Sequence, residues 1–121
     1  MYYVYMLRCS DDSLYTGITP DLTRRMRQHA GQIKGGAKYT ALRPPKELAA
    51  VWTVSDKRAA AKAEYAIKHL PLGEKRKLAA EPMRITEILP QLTETEPTVW
   101  AEASLQKLLA ADVKNTKRTS T

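Results

Sequence analysis

The sequence predicts an α+β fold: a small three-stranded antiparallel sheet flanked by helices, with one extra helix near the C-terminal end. Three observations carry this expectation. Two short runs rich in Tyr, Val and Leu open the chain with a two-residue alternation. A third apolar run of strand length is centred on Val51 and Trp52. Most of the helical patterns lie outside these runs, so strands and helices segregate rather than alternate.

In residues 2–9, Tyr3, Tyr5, Leu7 and Cys9 share one strand face, while Val4, Met6 and Arg8 share the other. Ser10-Asp11-Asp12-Ser13 is turn chemistry. Leu14 to Ile18 then returns as a second strand and closes a hairpin. Thr19-Pro20-Asp21 is a helix start. Thr19 can cap the free amides, Pro20 loses no useful donor at the first position, and Asp21 suits the positive end. Leu22, Met26 and Ile33 are the expected buried stripe. Residues Lys34 to Thr40 read as a basic loop, and Glu47 to Val54 as the third strand.

A second helix is expected from just after Ser55 to about Leu70, with Ala60, Ala63, Ile67 and Leu70 on its apolar face and Pro71 as its stop. Short helices follow over 74–80 and 83–89, punctuated by Pro82 and Pro90. This gives one domain over 1–92. Residues 93–121 are expected to hold a linker (Thr93 to Pro97), an amphipathic helix carrying Trp100, Leu105, Leu108, Leu109 and Val113, and a disordered polar tail from Asn115 to Thr121.

With 121 residues the chain can bury a modest core without staples. Its net charge of +7 is unevenly placed: residues 1–92 hold 16 Lys/Arg against 9 Asp/Glu, whereas 93–121 hold four of each. The basic excess suits a polyanionic partner, and it equally suits a solvated surface that keeps a protein soluble. The single cysteine, Cys9, excludes an intrachain disulfide and reads as a small buried hydrophobe. No apolar run approaches the ~18 residues of a membrane helix, and no secretory stretch opens the chain. A cytoplasmic monomer is expected.

Tyr3-Val4-Tyr5, Tyr15-Thr16-Gly17, the run Ile18 to Met26, the stretch Gly36-Ala37-Lys38-Tyr39-Thr40 and Glu64 occur in an order and spacing that resembles the GIY-YIG nuclease domain over roughly residues 1–90. The first triplet has Tyr3 in place of the family's glycine. Ile18 stands where many members have a polar or basic residue. Glu74-Lys75-Arg76-Lys77 occupies the region where many carry an asparagine. The Gly36–Thr40 stretch is typical of the small stand-alone members.

The resemblance implies metal-dependent cleavage of phosphodiesters, most readily in DNA with RNA left open, of a structure-selective or weakly specific kind suited to repair or recombination. Tyr5 and Tyr15 would position or activate the nucleophile. Arg25 would clamp the phosphate, and Glu64 would anchor Mg²⁺ or Mn²⁺. His29, one turn from Arg25, would relay a proton or contact the phosphate. Arg24, Lys34, Lys38 and Tyr39 are the expected nucleic-acid contacts, with Tyr39 able to stack.

Blander readings stand beside these. Glu64 at i,i+4 to Lys68 is an ordinary surface pair worth ~0.2–0.5 kcal/mol. The two tyrosines can be half-buried sheet aromatics. His69, beside Pro71, reads as structural. The missing asparagine supports a rival function, a non-catalytic nucleic-acid-binding module using the same basic face. An adaptor that docks through its terminal helix is a third.

Overall fold

The computed structural model of the protein describes residues 1–93, 99–101 and 103–110. Strands β1 (Tyr2–Cys9), β2 (Leu14–Thr19) and β3 (Pro45–Val54) form the expected antiparallel sheet. A three-residue strand, β4 (Val99–Ala101), extends it, giving the order β2-β1-β3-β4. The β1–β2 turn passes through Asp12 at φ 64°, a left-handed position that aspartate tolerates well. Tyr5 lies opposite Gly17 on β2 and opposite Val51 on β3.

Each face of the sheet carries its own core. Val4, Met6, Ala50, Trp52 and Val54 pack under helices α3 (Lys57–Lys68), α4 (Leu72–Ala80) and α5 (Ile85–Ile88). Trp52 satisfies its buried indole N–H by donating to the carbonyl of Pro82 at 2.8 Å, in the 3₁₀ turn that precedes α5. On the other face Tyr5, Leu7, Leu48 and Val51 pack against α1 (Leu22–His29) and Leu105.

Strict alternation would put Leu48 and Ala50 on the same side. The register instead shifts between Met6, opposite Ala50, and Leu7, opposite Leu48. The extra residue is a bulge that sends Leu48 to the α1 face. Ile18 also has a clear place: it packs with the α3 core, on the face away from Tyr5.

Several sequence expectations shift. Helix α1 is capped by Asp21, whose side chain accepts from the Arg24 amide. Thr19 does not cap it, because its hydroxyl is occupied two residues along, bonded to both the amide and the carbonyl of Asp21. Pro20 consequently lies outside the helix. Helix α1 ends at His29, so Ile33 is not on its stripe and is only half-buried.

Part of the basic loop is a five-residue helix, α2 (Lys38–Leu42). Helices α3 and α4 stand close to their expected spans. Asp56 caps α3 through the amide of Ala59 at 2.8 Å. Trp100 belongs to β4, not to a helix. The terminal helix does occur, over residues 105–110. Residues 94–97 of the expected linker, Val113 and the tail from Asn115 lie outside the described residues. Cys9 is buried and free, as its place on a strand implies.

Candidate active site

The site is built where β1, β2 and α1 meet. Tyr5 sits in the middle of β1 and is 1% exposed. Its ring lies across Gly17 on the neighbouring strand: a Cβ on that glycine would stand 2.5 Å from the Tyr5 hydroxyl and 2.7 Å from Cζ. Gly17 therefore makes room for an aromatic ring, a more specific demand than the close backbone approach often associated with a strand glycine. The open lane leads the hydroxyl to His29, the last residue of α1, with the tyrosine oxygen 2.6 Å from Nε2.

No other acceptor meets the Tyr5 hydroxyl among the described residues, so the phenol donates and Nε2 accepts. Burial pushes the Tyr5 hydroxyl up to about 12, opposed by the neighbouring Arg25 guanidinium. Burial, aided by the charge of Arg25, pushes His29 down to about 4. Both effects favour a neutral phenol facing a neutral imidazole.

Arg25 stands one turn before His29 and is held from two directions. Its Nη1 donates to Gln28 Oε1 and to the carbonyl of Gly35, each at 2.8 Å. Those bonds use both hydrogens of Nη1. Arg25 also bonds the Tyr5 hydroxyl, so a guanidinium, the group that suits a phosphate, stands directly against the phenol.

Tyr15 joins through its ring, edge-on to His29 at 5.2 Å between centroids and 6.5 Å from Tyr5. Tyr39 on α2 lies 5.5 Å from Tyr15, and the Arg43 guanidinium covers Tyr39 at 4.5 Å. Arg43 is in turn paired with Asp11 at 3.1 Å. A row of rings thus runs from the buried histidine to the surface. There it meets a cleft of about 370 Å³ whose lining includes Asp11, Asp12, Tyr39, Leu72, Lys75 and Arg76.

Glu64 approaches from α3. Its carboxylate is about a quarter exposed and pairs with Lys68 at 3.4 Å, so the expected i,i+4 pair does form. The pair is open to solvent and weak. Glu64 is also the carboxylate whose charge bears on the Tyr5 hydroxyl. Among the described residues no cluster of three or more His, Cys, Asp or Glu could enclose a metal ion. A lone carboxylate is nevertheless a donor set that suits Mg²⁺, which keeps several waters and is often held by one or two carboxylates plus the substrate's phosphates.

A family model described as the GIY-YIG catalytic domain matches residues 1–77. The chain belongs to the GIY-YIG family. Among its relatives is the UPF0213 protein BH0048 of Halalkalibacterium halodurans, 44% identical over 79 residues, which span 65% of this chain and 82% of that one. The UPF0213 protein YhbQ of Escherichia coli K12 is 41% identical over 97 residues, 78% of this chain and 93% of the relative. A solution NMR structure of the UPF0213 protein BH0048 from Bacillus halodurans covers 78% of this chain and all of its own, at 34% identity and a TM-score of 0.45.

Within this GIY-YIG domain, Tyr5, Tyr15, Arg25 and His29 are brought together, with Glu64 close enough to act electrostatically. Arg24, Lys34 and Lys38 are exposed, and Tyr39 is half-buried in the ring row. His69 stacks on Tyr65 at 4.0 Å and bonds the Tyr65 carbonyl.

Thr40, Gln28, Gly35, Arg43, Lys75 and Arg76 contribute contacts that spacing did not single out. The Gly36–Thr40 stretch was a usable signal for Thr40. Nothing in the local sequence marks Gln28 or Arg43. No helix among the described residues is long and apolar enough to cross a membrane.

Proposed function

We propose that this GIY-YIG protein is a metal-dependent endonuclease acting on DNA, structure-selective or weakly specific, of a kind used in repair or recombination. The observation that carries the reading is the buried Tyr5–His29 hydrogen bond of 2.6 Å with the Arg25 guanidinium against the same phenol. A phosphodiester resists attack because its charge repels nucleophiles. Cleavage needs a base, a cationic clamp and assistance to the leaving oxygen.

Tyr5 cannot serve as a standing phenolate at neutral pH, since its hydroxyl lies near 12. It serves as a relay. As the phenol oxygen takes a proton from the attacking water, its own proton passes to Nε2 of His29. The negative phosphate gripped by Arg25 favours the imidazolium so formed. Arg25 neutralises charge developing on the non-bridging oxygens. Tyr15 supports His29 through its ring and can orient water with its hydroxyl. Glu64 would hold Mg²⁺ or Mn²⁺, which when bound supplies Lewis-acid polarisation of the phosphate.

Lys34, Lys38, Arg24 and Tyr39 would track the strand, and Lys75 and Arg76, which share the cleft beside Tyr39 with Asp11 and Asp12, would extend that track. These two cations lie in the region where many family members carry an asparagine.

The test is a panel of labelled DNA and RNA single strands, duplexes, flaps and junctions, incubated with Mg²⁺ or Mn²⁺ and with chelator controls. Metal-dependent products from at least one DNA structure are expected. Salt-sensitive binding with no cutting of any substrate would replace this reading with the non-catalytic binding module.

A further inference from the structure

The stretch Gly35 to Thr40 has a second role that its basic residues do not suggest. Thr40 is 2% exposed, and its Oγ1 lies 2.9 Å from Nδ1 of His29 and 3.1 Å from the carbonyl of Ala37. With Tyr5 at the other ring nitrogen, four groups form one chain: Tyr5 hydroxyl, His29 imidazole, Thr40 hydroxyl, Ala37 carbonyl. The protons in such a chain can point only one of two ways.

Run forward, Tyr5 donates to Nε2, Nδ1–H donates to Thr40, and Thr40 donates to Ala37. Every hydrogen then has an acceptor. Run backward, Thr40 donates to Nδ1 and Nε2–H donates to Tyr5. The phenol proton of a residue 1% exposed is then left without an acceptor among the described residues, a costly orphan. The forward direction also leaves a lone pair of the Tyr5 oxygen for the adjacent Arg25, which is a donor only.

We infer that Thr40 is a positioning residue that locks His29 as the Nδ1–H tautomer, keeping Nε2 open to receive the Tyr5 proton. The carbonyl of Ala37 is what turns the threonine hydroxyl into an acceptor. The two glycines explain how the segment reaches α1. A Cβ on Gly36 would stand 2.5 Å from the Gln28 carbonyl oxygen, and Gly35 has φ +111° with Gln28 Nε2 2.6 Å from its Cβ position. The same close approach lets the Gly35 carbonyl hold Arg25. One short segment therefore fixes both the proton acceptor and the clamp.

The tautomer is a property of the folded protein with or without cleavage, while the rate effect rests on the nuclease reading above. The test uses ¹⁵N-imidazole NMR on the full chain, which has only two histidines. Wild type is expected to show His29 protonated at Nδ1 and bare at Nε2. Thr40→Val keeps the shape and leaves Nδ1–H without its acceptor, as much an orphan as the Tyr5 proton in the other tautomer, so the single-tautomer pattern should give way to a mixture. Thr40→Ser should restore the single tautomer.

In the cleavage assay the valine variant should lose at least about tenfold in rate and the serine variant should recover most of it. A wild-type spectrum with Nε2 protonated would overturn the inference at once, even if the valine variant failed to fold. So would a folded Thr40→Val protein with an unchanged His29 pattern. A wild type that cuts nothing, yet shows the expected tautomer pattern, would sink the nuclease reading and leave this inference standing.

Discussion

Gly17→Ala should disable this protein by displacing one ring. The new Cβ would stand 2.5 Å from the Tyr5 hydroxyl, 2.7 Å from Cζ and 3.1 Å from Cε2, where ordinary contact begins near 3.4 Å. The ring tip must retreat by roughly 0.9 Å. A retreat directed away from His29 stretches the Tyr5–His29 bond of 2.6 Å to at most about 3.5 Å, outside the range of a useful hydrogen bond. Tyr5 is packed in the core shared with Leu7 and Met26, so the retreat meets resistance of the overpacking kind, ~1–3 kcal/mol. Thermal unfolding should fall by about 5 °C or more.

Cleavage should fall by about 10²–10⁴-fold, the range of a lost proton-transfer contact. Tyr5→Phe should cost a similar factor with little change in stability. The combined variant is the decisive comparison. If Gly17 acts only through the Tyr5 hydroxyl, Gly17→Ala/Tyr5→Phe cuts no more slowly than Tyr5→Phe alone. Wild-type cleavage by Gly17→Ala, or two losses that simply multiply, would refute the reasoning.

Arg25→Ala should slow cleavage by orders of magnitude, whereas exposed Arg24→Ala should weaken binding mildly and leave turnover largely intact; equal effects would point to a generic basic surface. Stability should depend on the protonation of His29. Its imidazole stays neutral in the folded state down to about pH 4 but gains a proton near pH 6.5 once unfolded. The unfolded chain therefore binds more protons between those values, and stability falls on acidification from about pH 6.5 to about pH 4. The gap corresponds to about 3 kcal/mol when fully developed. Unfolding midpoints measured against pH should show this slope in wild type and a shallower one in His29→Gln, with His69 and the carboxylates common to both; identical slopes would remove His29 as its source.

Much of this arrangement was legible because it rests on local rules. The alternation of Tyr3, Tyr5 and Leu7 against Val4 and Met6 assigns both sheet faces, and the structure fills them with separate cores. The α3 stripe of Ala60, Ala63 and Ile67 is buried as its spacing implies.

What escaped was set by contacts between distant residues. The bulge that turns Leu48 toward α1 leaves no mark in composition. Strand β4 exists because three residues find the free edge of β3, so the helical reading of Trp100 had no local reason to fail. The Asp21 cap replaced Thr19 because the threonine hydroxyl found a nearer partner. In the site, Tyr5 and His29 were each legible as candidates, but their bond joins residues 24 apart. Thr40 lies in a stretch that the sequence marks, but its bond to His29 joins residues 11 apart and no local pattern announces it.

The most direct test of the central claim compares wild type with Glu64→Gln on one labelled DNA substrate, following binding and strand cutting in the same samples. The substitution keeps the size of the side chain and removes the charge that would anchor Mg²⁺ or Mn²⁺. The account predicts that wild type cuts only when one of those ions is present, and that Glu64→Gln binds within about threefold of wild type, well under 1 kcal/mol, yet does not cut. Undiminished cutting by Glu64→Gln, or cutting by wild type that persists under chelation, would contradict it.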